Sequence, residues 1–548
     1  MDLPAAGDAL QVAAADSAAA AAVPLDKPAP TDEKSGATLD SAEKAGGGHP
    51  NDAPADKPPF SNLRLVALVL TVAGAAFLNT LGVQSAVIIL PTIGNDLDIP
   101  SSRQQWIVSA YSLTFGCFLL LWGRLADVYG KKVIFIFGSA WLTVVTLVLP
   151  FVRDEIGFDV LRGLQGLGAA ANVPTAIGIL GVTFPPGKHK NYAFSCYGAG
   201  APLGSVFGNI LGGLIGEYLT WRWVFWVMAI MAAVVTTAGY FVIPAPPIAT
   251  APPASVKSAV DWFGGMLITV GLMVLLFALT EGNVVGWSTP WVPVLIVVAV
   301  ILIALFVVWQ RYLETRTARR PLVKVSIFSN LRFSAAMAIM ALFFAAFSNF
   351  LIYATYFYQD FQGLSIIQTM LRFIPTGVVG ICVAFTTAHL LSRVPGNLMI
   401  MFGTFCVSIS CLLFAVPIPT DTTYWAFGFP AMCLAVFGAD TVYPSLTLFT
   451  AHSLPQEDQA LGGAIVNAVG QIGRAIGLAI ATAIETAVIA NRKGLSVGEV
   501  GNMDIESGDV ALRDGLRAAE WLSWAFAICA VFIAGLAMRG VGKLGRKH

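Results

Sequence analysis

The sequence predicts an all-α polytopic membrane protein with fourteen transmembrane helices, and three observations carry that reading. Charged residues make up only 12% of the 548 positions while hydrophobic residues reach 56%, with a mean hydropathy of +0.74; soluble domains carry about 25% charged residues. The apolar residues gather in fourteen runs of about 20, the length that crosses a bilayer. Basic residues collect in alternate loops between those runs. Lys and Arg together number 32, as do Asp and Glu, so bulk charge argues against a nucleic-acid partner and leaves the lipid bilayer as the expected surroundings.

Residues 1–60 are rich in Ala, Pro, Asp, Lys and Gly, with no aromatic residue before Phe60. Such a segment cannot bury a core, and a disordered cytoplasmic tail is expected. Met1 to Val23 has acidic residues where a signal peptide needs basic ones. The apolar runs then fall near 65–90, 103–122, 133–152, 158–183, 192–216 and 222–243, the six spans of a first unit at 61–243. A Pro-rich stretch at 244–259, PAPPIATAPPAS from Pro244, reads as an extended cytoplasmic linker. Two further runs, 260–280 and 291–310, lead into a basic loop and form a unit at 260–330. The last six runs, near 332–358, 364–390, 397–416, 422–448, 459–489 and 519–540, form a unit at 331–540, followed by a basic tail at 541–548.

Loops after even-numbered runs hold Lys131 and Lys132, Lys188 and Lys190, Lys257, then Arg311, Arg316, Arg319, Arg320 and Lys324, and Arg393. Loops after odd-numbered runs hold Asp96 and Asp98, Asp154 and Glu155, Glu281, Asp360, and an acidic stretch with Glu499, Asp504, Glu506 and Asp509. Positive charge stays inside, so both termini are expected in the cytoplasm. The loop from His452 to Gln459 breaks the pattern, with Glu457 and Asp458 and no Lys or Arg. A faint internal repeat relates GRLADVYGKKVIFIFG, from Gly123, to AHLLSRVPGNLMIMFG, from Ala388. Leu125 matches Leu390, Gly138 matches Gly403, and Gly130 meets Gly396 after one inserted residue, with Ser392 in place of Asp127. A halved architecture of six plus six spans with two extra between them accounts for this.

Four stretches carry candidate chemistry. In WGRLADVYGKKV, Gly123 to Lys132 reads as a tight charged loop at a membrane surface. Gly123 and Gly130 let the chain turn, Asp127 is placed to cap a helix start or pair with a base, and Arg124, Lys131 and Lys132 mark the cytoplasmic side. In FDVLRGLQGLG, Arg162 and Gln165 sit inside an apolar run. An arginine there either faces a cavity or partner, or snorkels outward beside Asp159. The fifth run carries Gly200, Gly204 and Gly208 at spacings of four around Pro202, which permits helix backbones to touch and implies a kink. In the C-terminal half, Asp440, Arg474 and Glu485 lie within apolar runs, and an Asp440–Arg474 pair across spans twelve and thirteen is expected.

Groups available to line a cavity are Asn79, Gln84, Asn172, Asn349, Tyr353, Tyr356 and Gln471, with Phe343, Phe344 and Phe347. A large, aromatic, lightly polar cavity suits bulky amphiphiles. The seven cysteines all lie in apolar runs without C-x-x-C spacing and read as buried free thiols. No H-E-x-x-H or P-loop string occurs, so no enzyme, metal site, cofactor or ATP-driven pump is expected.

Together these strings resemble the major facilitator superfamily, in its fourteen-span drug:proton antiporter group of fungal multidrug and secondary-metabolite exporters. Gly123, Leu125, Ala126, Asp127, Gly130 and Lys132 fall on the loop signature G-x-L-A-D-x-x-G-R-K, with Lys131 where Arg is usual. Arg162, Gln165, Gly166 and Gly168 match R-x-x-Q-G-x-G. Gln105, Trp106 and Tyr111, the W-R-W-x-F from Trp221, and D-W-F-G-G from Asp261 are similar to further strings of the group. Arg372 and Pro375 resemble R-F-x-P, with Arg372 a lining cation or an inner-end snorkeller. The chain departs from the pattern at the antiporter string G-P-x-x-G-G, where Ala201 precedes Pro202 and the Gly pair falls at Gly212. In the first run Gly82 stands where an Asp is common, which leaves no proton acceptor there.

The resemblance implies two six-helix bundles related by a pseudo-two-fold axis along the membrane normal, plus two extra central helices. It implies alternating access, with the Asp127 loop clamping the halves on the cytoplasmic face. Arg162, Gln165, Asp440, Arg474 and Glu485 become proton-coupling candidates. It implies a monomer, in the plasma membrane, exporting a hydrophobic or amphiphilic small molecule such as a drug, toxin, secondary metabolite or glycolipid in exchange for protons. Nutrient or siderophore uptake by the same fold, or a transport-dead sensor, are the alternatives. A long cytoplasmic signalling domain is the usual sign of the sensor, and the tail after the last run is short.

Overall fold

The computed structural model describes residues 61–99, 104, 106–185, 187–244, 260–317, 319, 321–417, 422–455, 458–495, 500 and 507–543. The N-terminal tail, the linker beyond 244, Gln105, Glu499, Asp504, Glu506 and the end of the basic tail lie outside the described residues. Fourteen helices are long and apolar enough to cross a membrane, which makes this a multi-pass integral membrane protein. They are α1 (Asn62–Ile88), α2 (Trp106–Tyr129), α3 (Lys131–Val148), α4 (Glu155–Thr183), α5 (Lys188–Tyr218), α6 (Arg222–Val242), α7 (Trp262–Val285), α8 (Trp291–Arg316), α9 (Leu331–Tyr356), α10 (Ile366–Leu390), α11 (Gly396–Ala415), α12 (Tyr424–Ser453), α13 (Gln459–Lys493) and α14 (Val510–Ala537).

Three departures from the expected runs share one cause, polar residues kept helical by partners. The stretch from Gly123 to Tyr129 is the last part of α2 and not a loop; Gly130 alone turns the chain, at φ 104°, before α3 begins at Lys131. α14 begins at Val510, well before the expected 519, because its early charges are paired. Asp509 caps it by accepting from the Ala511 N–H at 2.8 Å, and Asp514 binds Arg492 at 2.9 Å. The hydrogen bond from Lys493, at 2.5 Å, holds the Asp509 carboxyl below the usual range. A short helix, Leu90–Asp96, follows α1 and was not expected. The Trp221–Arg222 pair explains it: the Trp221 indole and the Arg222 guanidinium both donate to Asp96, at 3.0 and 2.8 Å, and tie this connection to the start of α6.

Helices α1–α6 and α9–α14 form two bundles with the same internal pairings. α1 packs on α5 as α9 packs on α13; α2 on α4 as α10 on α12; α3 on α4 as α11 on α12; α3 on α6 as α11 on α14. Between the halves, α2 meets α13 and α10 meets α5, one contact exchanged for the other by the pseudo-two-fold. The α7–α8 hairpin lies against α2 and α13.

The faint repeat in the sequence is a repeat of helix contacts. A Cβ on Gly138 would come 2.9 Å from the Gly168 carbonyl, and one on Gly168 would come 3.1 Å from that of Gly138. Gly403 and Gly438 stand in the same reciprocal relation, at 3.1 and 2.7 Å. Both halves therefore join their third and fourth helices backbone to backbone. The fifth helix uses the same device against α1. Cβ atoms on Gly200, Gly204, Gly208 and Gly212 would lie 2.6, 2.3, 2.8 and 2.9 Å from the carbonyls of Ala73, Phe77, Leu81 and Ser85, a stripe at spacings of four on both helices. Pro202 sits inside α5, whose helix runs on through it. The cysteines are all free, yet only Cys117, Cys406 and Cys411 are buried; Cys382 and Cys529 are exposed, against the expectation of buried thiols throughout.

The glycine stripe yields a direct prediction. Gly204→Ala forces a methyl into the Phe77 carbonyl, and overpacking of this kind destabilises by about 1–3 kcal/mol. The detergent-solubilised variant should melt several degrees lower by fluorescence-detected size exclusion. Gly213→Ala, where an added Cβ meets nothing within 4 Å, should melt with the parent.

Candidate functional site

The end of the molecule that carries Gly130 holds the two halves together. Asp127, in the last turn of α2, accepts from the backbone N–H of Ala460 at 3.3 Å and of Leu461 at 2.9 Å. These are orphan donors of the first turn of α13, where a carboxylate is favoured by both hydrogen bonding and the helix dipole. So Asp127 does cap a helix start, but one more than 330 residues away in the chain. Lys131, one turn on, pairs with Asp127 at 3.0 Å. Beside it Arg124 binds Asp458 at 3.3 Å, with side chains only 7% and 10% exposed. Lys324, from the segment before α9, reaches the other oxygen of Asp458 at 3.4 Å. The loop that broke the charge rule is thus the acidic half of an ion-pair cluster whose cations come from neighbouring segments. Gly123 makes the approach possible: a Cβ there would lie 2.6 Å from that of Ala464. Lys132 takes no part and lies 5.7 Å from the Tyr240 ring centroid.

The N-terminal half holds a buried polar chain toward the end remote from Gly130. Arg162 is fully buried, so it does not snorkel. Its Nε donates to the Ile107 carbonyl at 2.6 Å and its Nη1 to Gln165 Oε1 at 2.5 Å. Gln165 donates onward to Thr146 at 2.8 Å. The guanidinium stands 5.0 Å from the Tyr111 ring centroid, and the Tyr111 hydroxyl donates to Asn79. Asn79, Tyr111, Arg162, Gln165 and Thr146 thereby link α1, α2, α4 and α3. One guanidinium nitrogen, Arg162 Nη2, has no hydrogen-bond partner among the described residues, a donor left over in a buried setting.

In the C-terminal half the expected Asp440–Arg474 pair does not form. Asp440 is buried on α12 against Gly380 of α10, and its Oδ2 has no partner among the described residues. Arg474 points elsewhere on α13, with its guanidinium 4.4 Å from the Phe344 ring centroid, and its surface is exposed although it lies mid-helix. The two side chains leave their helices in different directions, toward α10 and toward α9. Glu485 is half-buried, with Tyr353 and Tyr356 as electrostatic neighbours.

The cavity candidates divide. Gln471 lies beside Gly116 of α2, 3.5 Å from where its Cβ would be, at the mid-level junction of the halves. Tyr356 is exposed and meets Tyr353 edge to face. Gln84 is half-buried between α1 and α5. Asn172 accepts from the Ser139 hydroxyl at 2.9 Å, which places it between α3 and α4 and not on a cavity. Asn349 is fully buried, and neither amide atom has a hydrogen-bond partner among the described residues. Tyr353 is buried against Thr482 of α13, at 3.3 Å. Phe343 and Phe344 are core residues. Of the α5 set, the glycines face α1, whereas Pro202 and the neighbouring Val206 face Gly380 and Gly377 of α10 in the other half. Arg372 lies near the start of α10, at the end remote from Asp127.

Sequence reasoning missed Asp458 and Lys324 as latch residues, though the loop's anomalous charge pointed to the former. It also missed the anchoring of the α7–α8 hairpin. Asp261 accepts from Gly264 N–H, Trp309 and Gln310 at 2.9, 3.1 and 2.6 Å, and Gln310 accepts from Val323 N–H at 3.2 Å. At the hairpin's other end Trp106 donates to Glu281 at 2.9 Å.

The family model described as Major Facilitator Superfamily matches residues 72–478. A Saccharomyces cerevisiae protein named low affinity ammonium transporter is 34% identical over 438 residues, covering 79% of this chain and 84% of that protein. The Aspergillus terreus efflux pump terJ is 30% identical over 447 residues, covering 81% and 85%. The structure of the proton:xylose symporter XylE aligns over 89% of this chain and 99% of its own with a TM-score of 0.59 at 11% identity, a likeness of fold.

The Arg124–Asp458 pair tests the latch energetically. Breaking a buried pair by removing one partner costs about 3–5 kcal/mol. Arg124→Gln and Asp458→Asn should each lower the melting temperature and the transport rate. The double variant should lose clearly less than the sum, as a double-mutant cycle of melting curves would show. Additive losses would mean the two groups act apart.

Proposed function

Because the chain belongs to the major facilitator superfamily, we propose that it is a secondary active transporter exporting a hydrophobic or amphiphilic small molecule by alternating access, in exchange for protons. The observation that carries this reading is the Asp127 cap on α13 with the Arg124–Asp458 pair beside it. It fastens the halves at one end, through contacts that carry no covalent tie between bundles and that ion exchange or protonation can undo. Other contacts between halves, Gln471 with Gly116, Val206 with Gly377 and Pro202 with Gly380, sit at mid-level. We read the conformation as closed at the latch end and open toward the other.

With positive charge inside, the latch is at the cytoplasmic face, both termini are cytoplasmic, and the cavity opens outward. The units 61–243 and 331–540 are the rocking halves of a monomer, and 260–330 is an accessory element. Arg474 and Gln471 at mid-helix, with Tyr356 at the end of α9, give the cavity a few polar points among aromatic walls, which suits amphiphiles. Asp440, Glu485 and the Arg162–Gln165 pair are the groups through which protons would couple, since a charged group held between helices changes its surroundings as the halves rock. Similarity to a fungal efflux pump supports the direction of transport, and the plasma membrane is the setting that makes export useful.

A second reading, uptake, is favoured by the 34% identity to a protein named as an ammonium transporter. Arg474, exposed at the middle of α13, opposes a small cation there. Reconstitution separates the readings. Proteoliposomes holding the chain should move rhodamine 6G against its gradient when a pH difference is imposed and stop when nigericin collapses it. Dye flux indifferent to the pH difference would contradict antiport. Faster entry of labelled methylammonium into intact expressing cells, with no dye export, would establish uptake in its place.

A further inference from the structure

At the end remote from the latch, the C-terminal half holds a cavity of about 530 Å³ lined by residues that include Tyr358, Phe361, Arg372, Thr423, Tyr424 and Phe427. Arg372 stands in an aromatic box. Its guanidinium is 4.7 Å from the Tyr358 ring centroid and 5.5 Å from that of Tyr424, and the Tyr424 hydroxyl donates to the Arg372 carbonyl at 2.7 Å. Nη1 of Arg372 donates to Gln362. Arg372 forms no ion pair with any carboxylate among the described residues, unlike Arg124, Arg222 and Arg492. Tyr358 is fully buried behind this wall, with its hydroxyl packed against Gly428 of α12, so its ring fixes the guanidinium from one side.

We propose that this cavity binds the carboxylate of an organic acid, with Arg372 on the anion and the Phe361, Tyr424 and Phe427 rings against its apolar body. An arginine with aromatic faces on two sides is stiffened and presents its remaining N–H groups as a planar fork, which suits a carboxylate better than a point charge does. The volume is far larger than an inorganic anion needs, and the walls are aromatic, so the ligand is an anion carried on an aryl or alkyl frame. The site deepens the export reading by naming the polar end of a cargo on its way through the outer mouth. It stands on geometry at one half, so it holds whether or not protons drive transport.

Equilibrium binding to the purified full chain in detergent tests it without any transport step. The probes are 1-naphthoate, its neutral counterpart 1-naphthalenemethanol, and 1-naphthylmethylamine as the cation, read by isothermal titration calorimetry. Naphthoate should bind at least tenfold tighter than the other two. Arg372→Gln should remove that preference while leaving naphthalenemethanol binding unchanged. Tyr358→Phe, whose lost hydroxyl faces Gly428 and not the cavity, should change neither affinity. Inorganic phosphate at the same concentrations should not compete. Equal binding of the three probes, naphthoate affinity unmoved by Arg372→Gln, or displacement by phosphate alone would each overturn the proposal. Dye export without naphthoate binding would leave the transporter and remove this site.

Discussion

Everything in the interface between halves depends on free backbone donors at the start of one helix. The first turn of α13 has N–H groups that nothing in its own helix can satisfy. Asp127 of the opposite half supplies the acceptor. A side chain of the same helix could have capped α13 just as well, and the halves would then have no reason to meet. Placing the acceptor across the interface makes satisfaction of a helix end conditional on closure. The neighbouring Asp458, held by Arg124 and Lys324, adds charge to the same junction, and Gly123 removes the side chain that would keep the backbones apart.

The bundles on either side behave as stiff bodies because their contacts are made by backbone. Reciprocal glycines join α3 to α4 and α11 to α12, and a four-glycine stripe joins α5 to α1. In lipid, where apolar burial drives helix association little, such close approach is the main source of cohesion. α5 uses its two faces differently: glycines inward, Pro202 and Val206 toward α10 of the other half. The antiporter-like string is thus split between holding its own bundle together and meeting the other one.

How much of this the sequence disclosed follows from the range of each interaction. Span number and type were legible because hydropathy over 20 residues is a local property, and TM segments differ sharply from soluble ones in that measure. The repeat was legible because Gly138 and Gly403 occupy equal places. Helix ends were misjudged where charges had partners far off in the chain: α2 runs on to Tyr129 because Arg124 and Asp127 find theirs in α13 and the loop before it. Asp440 and Arg474 were expected to meet because both are charged and buried by hydropathy. Their directions around their helix axes, which one sequence does not reveal, send them to α10 and Phe344. Asn172 and Asn349 were read as cavity residues on polarity alone, and each is enclosed within its own half.

Asp127 fastens the halves at one end, and we propose that this fastening opens in the working cycle. Spin labels at Tyr129 and Ser453, both exposed at that end on opposite halves, measure it directly by double electron–electron resonance. The account predicts a single short distance at neutral pH, and a second, longer population when Asp127 is replaced by Asn or when cargo is added. An unchanged single distance in both cases would contradict it.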